Sequence, residues 1–379
     1  MTRKARHLVG GVVVSLLGGL LAASAPLGAQ AQQAARPSGA GGWQVPRTPD
    51  GVPDLQGNWT NETQTPLERL GPQGATLTDD QAAAIEARAK TVEEFRSQDS
   101  DPNRGAPPVG GENRLAAPGE KTFIERISEA AGGAVGGYNG FWLDPGANVI
   151  RIDGVARSSI ITDPPNGRIP PPTPAGQARR AALAAEAKRF GEFDHPEVRP
   201  LSDRCLVSFG SNAGPPMLPN YFYNNNYTIV QTRDHLMILS EMVHDVRIIP
   251  IGANARHGPA ALAPWFGDSV GHWEGDTLVV ETIHIRPAQL RQPSILWAYR
   301  GASPAMKVTE RFARTGPDTV NYQFTVEDPE VFTAPFSGEL PFTRIDELIY
   351  EYACHEANYA MENILSGERA KEREEAGRK

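Results

Sequence analysis

Hydrophobic and polar residues alternate along much of the second half of the chain, which is typical of antiparallel β-strands. The clearest case is residues 319–326, where Val320, Tyr322, Phe324 and Val326 alternate with polar residues. A strand with this period has one apolar and one polar face, as in a sheet that packs on one side only. We therefore expect the face that carries these four residues to be buried.

Turn residues divide further strands of this kind into hairpins. Glu274-Gly275-Asp276 separates VGHWE from TLVVETIHI, and Thr315-Gly316-Pro317-Asp318 separates the halves of the next segment. Further strands are predicted at NVIRIDG, SSIITD, YTIVQT, HLMILSEMV, DVRIIPI and ELIYEYACHE. The predicted fold is mainly β, an antiparallel closed barrel of about eight to ten strands, because closure leaves no unpaired edge. A β-propeller and a β-sandwich are the alternatives.

Four segments have helical patterns and are expected to pack outside the barrel. Residues 78–97 begin with the capping box TDDQ, residues 121–131 form a shorter candidate, and residues 175–190 are rich in alanine. The last helix, NYAMENILSGER, is predicted to end at Gly367.

The first 31 residues have the pattern of a secretory signal peptide. A basic start precedes an uncharged apolar stretch at residues 8–23, and Ala29-Gln30-Ala31 offers a small-x-small cleavage site. The apolar stretch is shorter than the roughly 20 residues that span a membrane. We expect cleavage near Ala31 and a periplasmic or secreted protein without a stable membrane span. The predicted organisation is a signal peptide at 1–31, a loose lead-in at 32–52, one barrel domain at 53–369 and a charged tail at 370–379.

Composition and motifs narrow the function classes. Lys and Arg number 37 against 45 Asp and Glu, a net charge of −8, so no nucleic-acid partner is expected. Neither G-x-G-x-x-G nor a P-loop sequence occurs, which argues against a Rossmann or P-loop enzyme. The expected partner is a small-molecule ligand or substrate. The oligomeric state stays open.

Export changes the interpretation of the two cysteines, Cys205 and Cys354. In an oxidising compartment an even pair usually forms a disulfide, and we expect one here. The alternative is a nucleophilic Cys354 beside His355.

Several strings along the mature chain carry a resemblance. PDLQGNW, DRCL, EMVHDVRIIP, GDSVGHWEGDTLVVET, TVEDP and YEYACHEANY occur in this order between about residues 50 and 369. The set resembles a family of exported bacterial proteins, most of which are described as hypothetical. This resemblance implies compartment and general plan, but no activity. The G-x-W start and the GxWxGDxLV hairpin are also similar to calycin barrels such as lipocalins, at the level of fold.

The first candidate for chemistry is the segment that holds Glu241, His244, Asp245 and Arg247. In a regular strand Glu241, Asp245 and Arg247 share one face and His244 lies on the other; a bend at His244 would cancel this division. His244 would act as general acid or base beside a carboxylate, with Arg247 stabilising negative charge. The alternative is an ion pair that locks a strand end.

The second candidate lies where the last predicted strand meets the last helix. His355 and Glu356 would join the acid–base set, and Tyr359 would contact a ligand. The alternative is that Glu356 or Asn358 caps the helix and His355 is structural.

The third candidate is a group of aromatic and amide residues at a barrel mouth, which would stack on a ring-bearing ligand. Its members, which are expected to bind the ligand together with Tyr359 of the second candidate, are Tyr138, Asn139, Trp142, Tyr221, Tyr223 and Trp265. The alternative is a loop that packs its own aromatic rings against the rim.

No cofactor is expected, although Zn²⁺ or Fe²⁺ is considered because six histidines lie between His235 and His355. None of the six shows a tight ligand spacing. Two function hypotheses follow. The first is an exported, cofactor-independent acid–base enzyme (a hydrolase, lyase or isomerase) acting on a small amphipathic or ring-bearing molecule. The second is a lipocalin-like periplasmic binding protein without catalysis.

Overall fold

The alternating segments form one antiparallel sheet. A computed structural model of the chain describes residues 43–96, 144–210, 212–286 and 302–378. Nine strands follow one another across the sheet in the order β7-β6-β5-β1-β12-β11-β10-β9-β8, and β4 pairs separately with β12. The strands are β1 Gly57–Thr60, β2 Arg151–Ile152, β3 Val155–Ala156, β4 Ile161–Asp163, β5 Asn226–Gln231, β6 His235–Ser240, β7 Val246–Pro250, β8 Asp268–Glu274, β9 Thr277–Ile283, β10 Lys307–Gly316, β11 Thr319–Glu327 and β12 Phe336–Ile345.

The sheet curls so that its two terminal strands come together at one point. Ile251, directly after β7, forms a parallel bridge with Gly271 of β8, and the Gly252 N–H donates to the Gly271 carbonyl over 2.9 Å. The predicted mainly β, antiparallel architecture is confirmed. Closure into a barrel is not shown, because β7 and β8 share this bridge but no ladder within the described residues.

Large apolar side chains fill the concave, inner face of the sheet. Trp59, Tyr227, Tyr322, Phe324 and Phe342 come from four different strands, and each is at most 1% exposed. The Tyr322 and Phe342 ring centroids lie 5.1 Å apart, and those of Tyr227 and Phe342 lie 5.3 Å apart. Such contacts across a curved sheet make its inner face the hydrophobic core.

The two hairpins predicted from turn residues are confirmed. β8 and β9 pair around Gly275, and β10 and β11 pair around residues 316–319. Val320, Tyr322, Phe324 and Val326 all lie in the core. On the opposite face Asn321 is also buried, and its amide is satisfied by donating to the Glu339 carboxylate of β12 over 2.8 Å.

Three helices lie within the described residues: α1 Asp79–Arg96, α2 Pro174–Ala187 and α3 Ala360–Gly377. The predictions for 78–97 and 175–190 are confirmed. α2 begins where the Thr173 hydroxyl accepts the Gly176 N–H over 3.0 Å. The predicted helix at 121–131 lies outside the described residues. α3 continues past Gly367 into the charged residues, so the predicted end at Gly367 is wrong.

The predicted strand ELIYEYACHE is also wrong, because residues 347–356 are irregular. The last strand is β12, which the sequence reasoning missed since Pro341 interrupts its pattern. The described residues from 43 onward belong to one compact unit. Of the helices within the described residues, none has the length and apolar character to cross a membrane.

Candidate functional site

The connection between β6 and β7 holds the first candidate segment, and it is a tight turn. Val243 has φ 59° and His244 has φ 47°, which is the left-handed region. This conformation is unfavourable for residues other than glycine, above all for a β-branched valine. The strand alternation that would put Glu241, Asp245 and Arg247 on one face therefore does not apply. The bend does not bring the four candidates together either, since each has different surroundings.

Glu241 is a buried anchor for the C-terminal segment. Its carboxylate accepts the Asn226 side-chain amide over 2.9 Å and the Tyr350 backbone N–H over 3.0 Å. His244, three residues on, is exposed, and its Nδ1 lies 3.0 Å from the carbonyl oxygen of Tyr352. Both contacts hold residues 350–352 against the end of β6.

Asp245 is the residue of this turn whose carboxyl pKa is raised. Burial raises the pKa of Asp245 to about 8, and a backbone hydrogen bond from Ser208 opposes part of this shift. Its Oδ2 has no hydrogen-bond partner among the described residues. At neutral pH the group is therefore a protonated carboxyl, which can donate a hydrogen bond or a proton.

Arg247 points to the inner face of the sheet. Its guanidinium pairs with the Glu310 carboxylate of β10 at 3.0 Å, and the two side chains are 3% and 0% exposed. The Tyr322 hydroxyl donates to Glu310 over 2.9 Å and accepts the Met217 backbone N–H over 2.8 Å. The buried pair thereby holds the segment around Met217 over the core.

Cys205 and Cys354 form a disulfide, so the predicted bridge is confirmed and Cys354 is not a free nucleophile. His355 and Glu356 follow it, and both are exposed. Tyr359 is 66% exposed at the start of α3.

Nearby Asn358 has a structural role. Its side-chain amide donates to Cys205 Sγ over 3.1 Å, and its Oδ1 accepts the Ala360 N–H over 3.1 Å. The N-cap position itself is occupied by Tyr359, which makes no side-chain capping bond, so neither Glu356 nor Asn358 is the N-cap residue. Asn358 nevertheless ties the start of α3 to the disulfide.

The aromatic candidates divide into several groups. Tyr221 is buried, and its hydroxyl donates to the Thr65 carbonyl over 2.9 Å. Tyr223 is half-buried in a three-ring cluster with Phe209 and Phe222, with centroid distances of 4.7 to 6.5 Å. Trp265 packs elsewhere, with the Arg286 guanidinium 4.7 Å from its ring. Tyr138, Asn139 and Trp142 lie outside the described residues.

A second carboxyl group with a raised pKa, that of Glu62, was missed by the sequence reasoning. Burial, together with a hydrogen bond to Asp144 and its negative charge, raises the pKa of Glu62 to about 8. The Asp144 backbone N–H donates to the Phe222 carbonyl over 2.8 Å. Glu62 lies two residues after the end of β1, but nothing in the sequence joins it to the distant Asp144.

Asparagines connect the two carboxyl regions. The Asn225 amide donates to the Asp144 carbonyl over 3.0 Å, and the Asn212 amide donates to Asn225 Oδ1 over 3.4 Å. Asn212 Oδ1 lies 3.5 Å from the Ser208 hydroxyl, next to Phe209. Asp245 therefore contacts the backbone at Ser208, next to Phe209, and Asp144 contacts the backbone at Phe222. The arrangement combines proton donors with half-buried ring faces.

Metal ligation has no support in the described part of the chain, where no group of three or more His, Cys, Asp or Glu side chains could hold an ion. His257 contacts Asp268 over 3.2 Å and Glu281 over 3.5 Å, on the outer side of β8 and β9. It is the histidine with the most carboxylate contacts in these residues.

Comparisons of the chain with known protein families, with curated proteins and with solved structures give no match.

Proposed function

We propose that the protein is an exported acid–base enzyme acting on a small ring-bearing molecule, with its site at the end of the sheet. Asp245 and the Glu62–Asp144 pair are its proton-transfer groups. The three-ring cluster Phe209, Phe222 and Tyr223 is its binding surface. The observation that carries the proposal is the half-buried ring cluster, whose backbone contacts Asp245 at Ser208 and Asp144, the partner of Glu62, at Phe222.

The chemistry follows from the protonation states. A carboxylic acid with a pKa near 8 keeps its proton at neutral pH, so Asp245 suits a general acid or a donor to a developing oxyanion. Two carboxyl groups in contact share one proton because both cannot ionise at close range. We assign the accepting role to the Glu62–Asp144 pair. Hydrolysis, elimination and isomerisation all need such a donor and acceptor.

The ring cluster supports the substrate class. Its three aromatic side chains are neither buried in the core nor fully exposed. Aromatic faces of this kind stack on planar or sugar rings. Asn220 stiffens the loop, since its Oδ1 accepts the N–H groups of Phe222 and Tyr223 at 2.8 and 3.0 Å. A fixed loop lowers the entropy lost on binding.

The lipocalin-like alternative places the ligand inside the sheet. That space is occupied by packed aromatic side chains, so we favour the enzyme; a binder that uses the ring cluster without catalysis is the second candidate.

We also infer that β7 and β8 close the sheet into a barrel, which the Ile251–Gly271 bridge supports. Export is supported by the disulfide and by the signal-like N-terminus.

The test compares the mature protein with Asp245→Asn and Glu62→Gln on a panel of 4-nitrophenyl esters and glycosides. Asp318→Asn is the matched control, because this exposed residue lies in the turn at the opposite end of the sheet. We expect turnover that falls at least about tenfold in each of the first two variants and is unchanged in the control.

The pH profile gives a second criterion. The rate of the wild type should fall as pH rises through about 8, where Asp245 loses its proton. Saturable quenching of protein fluorescence by 4-nitrophenol without turnover of any compound would favour the binder. Equal rates in all four proteins would overturn the assignment of both carboxyl groups.

A further inference from the structure

The outer face of β5, β6 and β7 is unusual because apolar side chains on it meet water. Ile248 is 66% exposed, Val246 42% and Val230 40%. Met237 and Leu239 on the strand between them are partly exposed. We call these five residues the apolar face.

The apolar face is continuous across the three strands. Met237 of β6 lies opposite both Val230 of β5 and Ile248 of β7. Leu239 lies opposite Val246 in the neighbouring row. Directly opposed residues in antiparallel strands have side chains on the same face, about 5 Å apart. The five side chains therefore form one patch.

Single exposed apolar residues are ordinary, but a contiguous patch marks a contact surface. Sheet surfaces near an edge are usually protected by charged residues. Here the outward positions of β5, β6 and β7 include one ionisable residue, His235, at the border of the patch. The patch thus lacks the protection that a permanently solvated face would carry.

We propose that the apolar face is the surface through which two copies of this chain associate. With a net charge of −8, two copies repel each other over most orientations. The apolar face carries no carboxylate, so it can meet its own copy without desolvating or opposing like charges. A two-fold contact needs a self-complementary surface, and two apolar sheet faces packed about 10 Å apart meet this requirement.

The expected association is weak. A standard interface buries about 800 Å² on each partner, more than five side chains supply. Leu348 and Tyr350, both exposed, lie in the segment that Glu241 holds at the end of β6. We therefore expect a micromolar dimer.

Sedimentation equilibrium of the mature protein, from about 1 to 200 µM, tests the proposal. The wild type should show a reversible monomer–dimer equilibrium. Ile248→Glu should raise the dissociation constant at least about tenfold. Leu70→Glu is the matched control, since Leu70 is 63% exposed but lies outside the apolar face. It should leave the dissociation constant unchanged.

A second variant guards against misfolding. Val246→Thr keeps the β-branched shape and should weaken the dimer with an unchanged circular dichroism spectrum. A wild type that stays monomeric at every concentration overturns the proposal, as does equal weakening by Ile248→Glu and Leu70→Glu. Binding of a monomeric wild type, but not of Ile248→Glu, to phosphatidylglycerol-containing vesicles would assign the face to lipid and also overturn it.

Discussion

Replacement of Glu310 by glutamine tests the buried ion pair most directly. The change keeps the shape and an oxygen acceptor for the Tyr322 hydroxyl, but leaves the Arg247 guanidinium without a counter-charge in the core. Breaking a buried pair on one side costs about 3 to 5 kcal/mol. At roughly 2 to 4 °C per kcal/mol for a large domain, the midpoint temperature should fall by about 10 °C.

The size of the effect should depend on the remaining charge. Arg247→Met combined with Glu310→Gln removes both charges, and neutral replacements of a buried pair cost much less. The double variant should therefore be more stable than Glu310→Gln alone by at least about 1 kcal/mol. Glu274→Gln is the control, because its ion pair with Arg311 is about half exposed and contributes about 1 kcal/mol or less.

The free energy of unfolding is measured for the wild type, Glu310→Gln, the double variant and Glu274→Gln by urea unfolding, followed by the fluorescence of tryptophans such as buried Trp59. Valid comparison needs equal m values, since a changed slope indicates a changed denatured state. If Glu310→Gln costs no more than Glu274→Gln at equal m, the pair is not a buried charge pair. If the double variant is as unstable as the single one, the uncompensated charge is not the cause.

Three further changes have defined outcomes. The pKa of Asp245 in the folded protein is raised to about 8, so between about pH 4 and 8 the folded chain keeps a proton that the unfolded chain has lost. The contribution of Asp245 to the free energy of unfolding therefore falls by about 1.4 kcal/mol per pH unit as pH rises through this range. Asp245→Asn should remove this slope in urea unfolding at several pH values, and equal slopes would contradict it. Replacing Cys205 and Cys354 by serine opens a cross-link over 149 residues, which the chain-entropy model values at about 5 kcal/mol. A loss below about 1 kcal/mol in the same assay would argue against that account. Gly338→Ala would push a methyl group into the Phe324 ring and should destabilise the fold by about 1 to 3 kcal/mol. Gly367→Ala places its methyl group in open space on α3 and should stabilise the fold by about 0.5 to 1 kcal/mol. A higher melting temperature for Gly338→Ala than for Gly367→Ala would refute both expectations.

Local signals in the sequence predicted local structure well. The hairpin around Gly275 and the alternation that buries Tyr322 and Phe324 depend on neighbours in the chain, and both are confirmed. The capping box that starts α1 is of the same kind, since Thr78 and Gln81 bond reciprocally. Each of these features is decided within about ten residues.

Features that depend on distant residues could not be predicted. The EMVHDVR string reads as a strand, but it turns because Glu241 pairs with Asn226 and Tyr350 rather than continuing a ladder. The Glu62–Asp144 pair joins segments with no shared pattern. The sequence predicts Arg247 to be a site residue, but no pattern in the sequence links it to its ion-pair partner Glu310 in another strand.

The position of β1 has a consequence for how the chain folds. β1 lies between β5 and β12, and Asn58 is opposite Ile345 near the end of the chain. A ribosome therefore releases this central strand long before its second neighbour exists. Until β12 emerges, one edge of β1 stays open to wrong pairing. Such distant contacts slow folding, so we expect refolding to be limited by the docking of β1 and β12 rather than by the fast local hairpins.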